Sequence, residues 1–195
     1  MMDLDATPDL LRDRRIIVGI TGGIAACKIP GLISALRARG AEVRVVMTEA
    51  AAWFVTPTTL ATLSGREVHR DMFGVHLKDE MQHISLQEFG EVFLVAPATA
   101  NVLGKVAHGL ADDLLTTSIM AAKCPVVFAP AMNEVMWCNP IVQENVATLP
   151  GLDGRKMSKS YDNTIPLWLP SAQLKKALLG ILTDSRAPGE PKDTE

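Results

Sequence analysis

The chain has 195 residues, a formal net charge of -3 and 48% hydrophobic residues. This balance gives no basic excess that would indicate nucleic-acid binding, and the apolar content is ample for a buried core. No uncharged segment reaches transmembrane length and the acidic opening does not resemble a signal peptide, so we expect a cytoplasmic protein. The three cysteines, Cys27, Cys124 and Cys138, match no metal-ligand spacing, and their odd number argues against a disulfide framework. We expect reduced thiols and no metal.

The chain is organised around residues 15–28, RIIVGITGGIAACK. A run of β-branched residues leads into glycines and then small residues, which is typical of the first strand-to-helix turn of a parallel sheet. Backbone amides at such a helix start can bind an anion, with phosphate as the obvious candidate. The G-x-x-G-G spacing differs from the dinucleotide fingerprint, so by itself the pattern fits a plain strand-to-helix turn equally well.

The segments that follow alternate between helix and strand. We expect a helix over 25–39, a strand over 42–47, a helical stretch over 49–63 interrupted at Pro57, and an irregular loop over 65–80. Further strands are expected at 92–96 and 125–129, with helices over 102–122 and 139–149. Such alternation without repeats predicts a doubly wound α/β fold with a parallel sheet. Ligands of such folds bind at the carboxyl ends of the strands.

Six stretches together resemble the flavin-containing cysteine decarboxylases: GITGGIAACK, Thr48, QHISL, APATAN, GLADDLLTT and PAMNEVMW. Within that family the phosphopantothenoylcysteine decarboxylases of coenzyme A biosynthesis are most similar, over about residues 14–149. The resemblance implies a Rossmann-like or flavodoxin-like flavoprotein domain at 1–149 that binds FMN. It also implies oxidative decarboxylation of a carboxyl-terminal cysteine by a homotrimer, or a multiple of it, with FMN at the subunit contacts.

Matching motifs carry the family's residue roles onto this chain. Those implied to hold FMN are Gly22, Gly23 and Ile24 at the phosphate, with Thr48, Thr99, Asn101 and Asp113 supplying further hydrogen bonds. His83 matches the active-site base, Asn133 matches the residue that holds the substrate carboxylate, and Met132 lies beside it. The family usually has Asn where this chain has Asp112.

Other interpretations of these residues remain open. His83 could be a strand-edge histidine satisfied by water, and Met132 could be a packing residue. Cys27 and Cys124 are expected to be buried small hydrophobes. The protein could instead decarboxylate a peptide ending in cysteine, or bind flavin without catalysis as a regulatory subunit.

The tail, residues 150–195, resembles a different family. PGLDGRKMSKSYDNTIPL is similar to tryptophanyl-tRNA synthetase around its KMSKS loop, here Lys156 to Ser160, whose lysines stabilise pyrophosphate. The partner signature His-Ile-Gly-His is absent from this chain, which argues against an ATP or tRNA function. The join between the two resemblances, near residues 146–150, is interpreted as a fusion, a recombinant or designed chimera, or an assembly error, and the sequence does not choose among them. The end of the tail is expected to be disordered. In the decarboxylases this region forms a clamp that carries a cysteine, whereas no cysteine follows Cys138. We therefore expect turnover to stall at an oxidised enethiol.

Overall fold

The computed structural model describes residues 11–72 and 82–149, the side chains of 82–84 excepted. All of these belong to the first of two units into which the chain divides, Met1–Thr164. Their centre is a five-stranded parallel sheet with the order β3-β2-β1-β4-β5. The strands are β1 (Arg15–Ile20), β2 (Glu42–Met47), β3 (Val68–His69), β4 (Val92–Ala98) and β5 (Val126–Pro130).

Helices connect the strands. They are α1 (Ile29–Ala38), α2 (Pro57–Ser64), α3 (Gln82–Phe89), α4 (Ala100–Ala107), α5 (Leu114–Met120), α6 (Glu134–Trp137) and α7 (Pro140–Thr148). Two 3₁₀ segments, Ile24–Lys28 and Glu49–Trp53, follow β1 and β2 directly. The sheet therefore has the doubly wound architecture that the sequence predicts, with a Rossmann-type strand order.

The core lies on both faces of the sheet, because alternate residues of each strand point to opposite sides. On one face Val18 and Val45 pack against Ile33 of α1. On the other face Phe93 packs with Leu115 of α5. The continuous apolar runs of β1 and β2 follow from this burial on both faces.

Gly19 of β1 allows α5 to approach the sheet closely. A Cβ at this position would lie 2.6 Å from Leu115 Cδ1 and 3.0 Å from Phe93 Cε2. A larger residue at this position would therefore force the Leu115 side chain to move.

The structure differs from the sequence-based elements in three places. The expected helix over 102–122 is two helices, α4 and α5, because Gly109 takes a left-handed conformation with φ of 70° and Asp113 caps a new helix. The expected loop over 65–80 contains the short strand β3, and its residues 73–80 lie outside the description. The helix expected over 25–39 begins as a 3₁₀ segment.

Within residues 11–72 and 82–149, no helix combines the length and hydropathy that crossing a membrane would require.

Candidate functional site

The strand order places four chain segments at the carboxyl edge of the sheet. From β1 the chain continues to β2 and β3 on one side of the sheet, and it then returns to β4 and β5 on the other side of β1. The strand order therefore reverses between β1 and β4, which is the topological switch point. Ligands of doubly wound proteins bind in the crevice at this point. We call this edge the carboxyl rim, and its predicted residues are Gly22, Gly23, Thr48, Thr99 and Asn133.

Thr21, which the sequence analysis did not single out, links the two sides of the switch point. Its side chain is completely buried, its Oγ1 donates to the Pro97 carbonyl at 2.6 Å, and it accepts from the Thr99 amide at 3.2 Å. The one feature of the sequence that could have indicated this role is that Thr21 is a polar residue directly after a buried strand.

The glycine turn packs against the segment that follows β2. A Cβ at Gly22 would overlap Ala50 Cβ and lie 2.9 Å from the Ala50 carbonyl carbon. A Cβ at Gly23 would meet only Thr99 Cγ2, at 3.4 Å. The glycine turn thus lies between Ala50, which follows β2, and Thr99, which follows β4. The segments after β1, β2 and β4 are therefore adjacent at this edge of the sheet.

The first 3₁₀ segment begins at Ile24, directly after the glycine turn. Its first intrahelical bond runs from the Ala26 amide to the Gly23 carbonyl at 2.9 Å, so the Ile24 and Ala25 amides precede the hydrogen-bonded turn. The Ile24 side chain is 77% exposed. Backbone amides at such a helix start can bind an anion, and phosphate binding at this turn stays a prediction.

Three polar side chains stand near the starts of helical segments on the rim. Thr48 caps the second 3₁₀ segment, because its Oγ1 accepts from the Ala51 amide at 3.3 Å. Thr99 is the N-cap residue of α4, but its hydroxyl makes no capping bond and so stays available to a ligand. Asn101 is exposed in the first turn of α4.

Asp113 holds the start of α5. Its Oδ1 accepts from the Thr116 amide at 2.8 Å and the Thr116 hydroxyl at 2.9 Å, and its Oδ2 accepts from Lys105 Nζ at 3.2 Å. The carboxylate therefore has a complete structural role as a helix cap. Lys105 also donates to Asp112 at 2.6 Å. This hydrogen bond raises the pKa of Lys105 and lowers that of Asp112.

Asn133 and Met132 follow β5. The Asn133 Oδ1 accepts from the Met136 amide at 2.8 Å and caps α6, which fixes the side chain and leaves its amide nitrogen to donate. Met132 is half-buried and packs against the core on the α5 face of the sheet. Val135 is 82% exposed in the next turn.

His83 lies in α3, so the interpretation as a strand-edge histidine is wrong. Its side chain falls outside the description. Helix α3 packs next to α5 and β1. The histidine is thus carried by a helix on the α5 face of the sheet.

The cysteines divide into two environments. Cys27 and Cys138 are exposed, so the expectation of a buried Cys27 is wrong. Cys124 is half-buried, and burial raises the pKa of its thiol. Among the described side chains, no group of three or more His, Cys, Asp or Glu residues is placed to hold a metal ion.

Fold and rim together define a doubly wound α/β protein with a glycine turn and polar N-cap residues at its switch point. The chain belongs to the Flavoprotein family, whose model matches residues 5–166. That match continues past residue 149, where the sequence resemblance to the decarboxylases was expected to end.

The curated relatives are coenzyme A biosynthesis proteins. The chain is 45% identical over 139 residues to the coenzyme A biosynthesis bifunctional protein CoaBC of Vibrio vulnificus strain YJ016, covering 71% of this chain and 35% of that protein. It is 44% identical over 140 residues to CoaBC of Bacillus subtilis strain 168, covering 72% and 34%. The chain thus spans about a third of the length of these relatives.

Solved structures with this fold include two decarboxylases. The FMN-dependent cysteine decarboxylase SpaF superposes with a TM-score of 0.72 at 32% identity, covering 88% of this chain and 98% of SpaF. A mutant PPC decarboxylase complexed with pantothenoylaminoethenethiol gives 0.61 at 30% identity, covering 74% and 88%. Neither name concerns a tRNA synthetase, and the synthetase-like segment at 150–195 lies outside the described residues.

Proposed function

We propose that this protein binds FMN and catalyses the oxidative decarboxylation of phosphopantothenoylcysteine, the chemical step that leads towards phosphopantetheine in coenzyme A biosynthesis. The observation that carries the proposal is the carboxyl rim, where the glycine turn faces Thr99 across the switch point of a Flavoprotein-family sheet. The relatives named CoaBC and the PPC decarboxylase neighbour support the choice of substrate.

The rim residues fit a flavin mononucleotide. The amides of Gly22 and Ile24 suit its phosphate, because a helix start offers N–H groups and a positive dipole end. The Gly23 amide already donates to the Thr21 carbonyl at 3.0 Å, so Gly23 would contribute through the shape of the turn. The unbonded Thr99 hydroxyl can donate or accept, and we assign to it and to Thr48 the remaining polar contacts.

The other two predicted FMN ligands differ in availability. Asn101 is exposed and can turn its amide towards the flavin. Both carboxylate oxygens of Asp113 already accept hydrogen bonds within the protein. Any hydrogen bond from the flavin to Asp113 would therefore be made in addition to the bonds that cap α5.

In the proposed reaction, FMN and the residues of this chain have separate roles. When bound, FMN supplies two-electron oxidation of the carbon that bears the substrate thiol. His83 takes the thiol proton, because an imidazole titrates near neutrality. Asn133 donates from its amide nitrogen to the substrate carboxylate, and Met132 lines the pocket beside it. Loss of carbon dioxide from the resulting thioaldehyde is easy, so holding the carboxylate in place is the main task of the protein at that step.

A second candidate substrate is a peptide that ends in cysteine. The peptidyl-cysteine decarboxylase EpiD supports it, because that structure superposes with a TM-score of 0.66 at 27% identity, covering 86% of this chain and 99% of EpiD. Both substrates present the same carboxyl-terminal cysteine, so the same residues would act on either.

We further propose a homotrimer, or a multiple of it, in the cytoplasm. Exposed apolar side chains at the carboxyl rim support association between copies: Ile24, Trp53, Val135 and Met136 are 77%, 87%, 82% and 45% exposed. Sedimentation equilibrium tests the assembly, and a monomer that carries stoichiometric flavin would contradict it.

The first experiment is the visible absorption spectrum of the purified protein, with the bound chromophore released and identified. We expect stoichiometric FMN. The loaded protein is then incubated with phosphopantothenoylcysteine or with a peptide ending in cysteine, and carbon dioxide and products are measured. A colourless protein that FMN cannot reconstitute, or a loaded protein that decarboxylates neither substrate, would refute the proposal.

The variant His83→Asn separates catalysis from flavin binding alone. We expect an unchanged FMN spectrum and a loss of decarboxylation. His108→Asn is the control, because His108 is exposed at the end of α4 and its ring Nδ1 lies 2.9 Å from the Gly104 carbonyl. Equal turnover in wild type and His83→Asn would show that His83 is not the base.

The product reveals how far the reaction proceeds. In the polypeptide of these 195 residues no cysteine follows Cys138. We expect mass spectrometry to detect the oxidised enethiol together with reduced flavin. Efficient formation of the fully reduced aminoethanethiol would overturn that expectation.

A further inference from the structure

Thr21 occupies an unusual position between two strand ends. It is the first residue after β1, and its side chain has no exposed surface. Both of its side-chain hydrogen bonds go to residues 97–99, which lie 76 and 78 positions away along the chain. A buried hydroxyl with both a donor and an acceptor partner is fully satisfied and holds one orientation.

The backbone pairing between β1 and β4 ends before this point. Its register runs from Ile16 opposite Val92 to Gly19 opposite Val95. On its other side, β4 has an irregular register with β5 between Val95 and Ala98. Beyond Gly19 the Thr21 hydroxyl therefore supplies the hydrogen bonds that join the two strand ends within the described residues.

These two strand ends form the walls of the switch-point crevice. The glycine turn begins one residue after Thr21, and Thr99, whose amide Thr21 accepts from, opens α4 on the other side. The walls are close, since a Cβ at Gly23 would lie 3.4 Å from Thr99 Cγ2. A shift of either strand end therefore changes the space in which a flavin phosphate would lie.

We propose that Thr21 is a positioning residue for the flavin: its hydroxyl sets the spacing between the Gly22–Gly23 turn and Thr99. The proposal rests on the proposed function, because it assumes that this crevice takes FMN. Thr21 itself contacts only the protein, and it acts through the residues on either side.

The test replaces the hydroxyl while keeping the shape. Thr21→Val retains both branches of the side chain but can neither donate to the Pro97 carbonyl nor accept from the Thr99 amide. The Pro97 carbonyl and the half-buried Thr99 amide lose their partner, so the strand ends separate or admit water. Thr21→Ser keeps the hydroxyl and loses only a methyl group.

Ser64 provides a matched control at the opposite edge of the sheet. Its buried hydroxyl also donates to backbone carbonyls, those of Arg66 at 3.1 Å and Ala61 at 3.3 Å, and accepts from the Arg66 amide at 3.3 Å. Ser64→Ala thus removes a buried hydroxyl with both donor and acceptor partners at the end of α2, away from the carboxyl rim.

FMN affinity is measured by quenching of flavin fluorescence in the apo forms of all four proteins. We expect the dissociation constant of Thr21→Val to rise about tenfold to hundredfold, which corresponds to one or two buried hydrogen bonds. Thr21→Ser and Ser64→Ala should stay within about threefold of wild type. Hydrogen exchange of the peptide that contains Thr99 should be faster in Thr21→Val and unchanged in Ser64→Ala.

The outcomes are distinguishable. Wild type that fails to bind FMN refutes the proposed function. Wild type that binds, together with a Thr21→Val variant of equal affinity, refutes only the role of Thr21. Equal weakening in Thr21→Ser or in Ser64→Ala also refutes it, since packing or general instability would then explain the loss. If Thr21→Val does not fold, Thr21→Cys replaces it under the same criteria, because a thiol is only a weak donor.

Discussion

Replacement of Gly22 by alanine tests the packing of the glycine turn directly. The new Cβ would overlap Ala50 Cβ and lie 2.9 Å and 3.0 Å from the Ala50 carbonyl carbon and oxygen. Carbon atoms in contact normally lie about 3.5–4.0 Å apart, so the carbonyl carbon would have to move by roughly 0.6 Å or more. Because the obstacle is backbone, no side-chain rotation can relieve it.

Forced overpacking of this kind costs about 1–3 kcal/mol, and we expect Gly22→Ala to lie at the upper end. With a urea m-value of about 2 kcal/mol per molar, the midpoint of unfolding falls by about 1 M or more. The assay is urea denaturation followed by far-UV circular dichroism on the apo protein.

Gly31→Ala is the control for the substitution itself. Gly31 lies in α1 and a Cβ there would meet nothing within 4 Å. Alanine should stabilise that helix by about 0.5–1 kcal/mol, so the two variants move the midpoint in opposite directions.

A double variant identifies Ala50 as the obstacle. Ala50→Gly removes the overlapping Cβ but leaves its backbone, so Gly22→Ala/Ala50→Gly should recover part of the loss, with a coupling of about 1 kcal/mol. An unchanged midpoint in Gly22→Ala, or a cycle with no coupling, would refute the inferred contact between the two segments.

Two further predictions concern titratable groups. Since the folded-state pKa of Asp112 is lowered by Lys105, their contact stabilises the fold above Asp112's ordinary pKa of 3.8 and is lost as pH falls through the lowered value. When the pH is lowered from about 5 to about 3, the urea midpoint should therefore decrease less in Lys105→Met than in wild type. An equal decrease in both proteins would exclude a contribution of the Lys105–Asp112 contact to stability. Burial raises the pKa of Cys124, so iodoacetamide at neutral pH should modify it at least about tenfold more slowly than Cys27 and Cys138, as measured by peptide mass spectrometry; equal rates would contradict its burial.

Much of the fold could be predicted because its signals are local. The β-branched runs of β1 and β2, the apolar face of α1 and the proline that begins α2 all act over a few residues. The same holds for the rim, since polar residues that follow parallel strands must meet at one edge. Thr48, Thr99 and Asn133 are all N-cap residues at that edge, although the sequence did not reveal that Thr48 and Asn133 use their side chains to cap.

The break between α4 and α5 was missed because the apolar pattern continues across it. The left-handed Gly109 and the capping box of Asp113 with Thr116 override that pattern. Strand β3 was missed for a different reason. Two residues carry no periodicity, and β3 exists only because β2 offers it a partner.

The sequence by itself determined the alternation of strands and helices, the glycine turn and the family to which the motifs point. Only the tertiary structure decided that Thr21 joins the ends of β1 and β4, that Ala50 closes on Gly22, and that Asp113 is committed to a helix cap. The physical reason is separation along the chain. Local conformation depends on neighbouring residues, whereas the partners of Thr21 lie 76 and 78 residues away and are brought to it by the strand order.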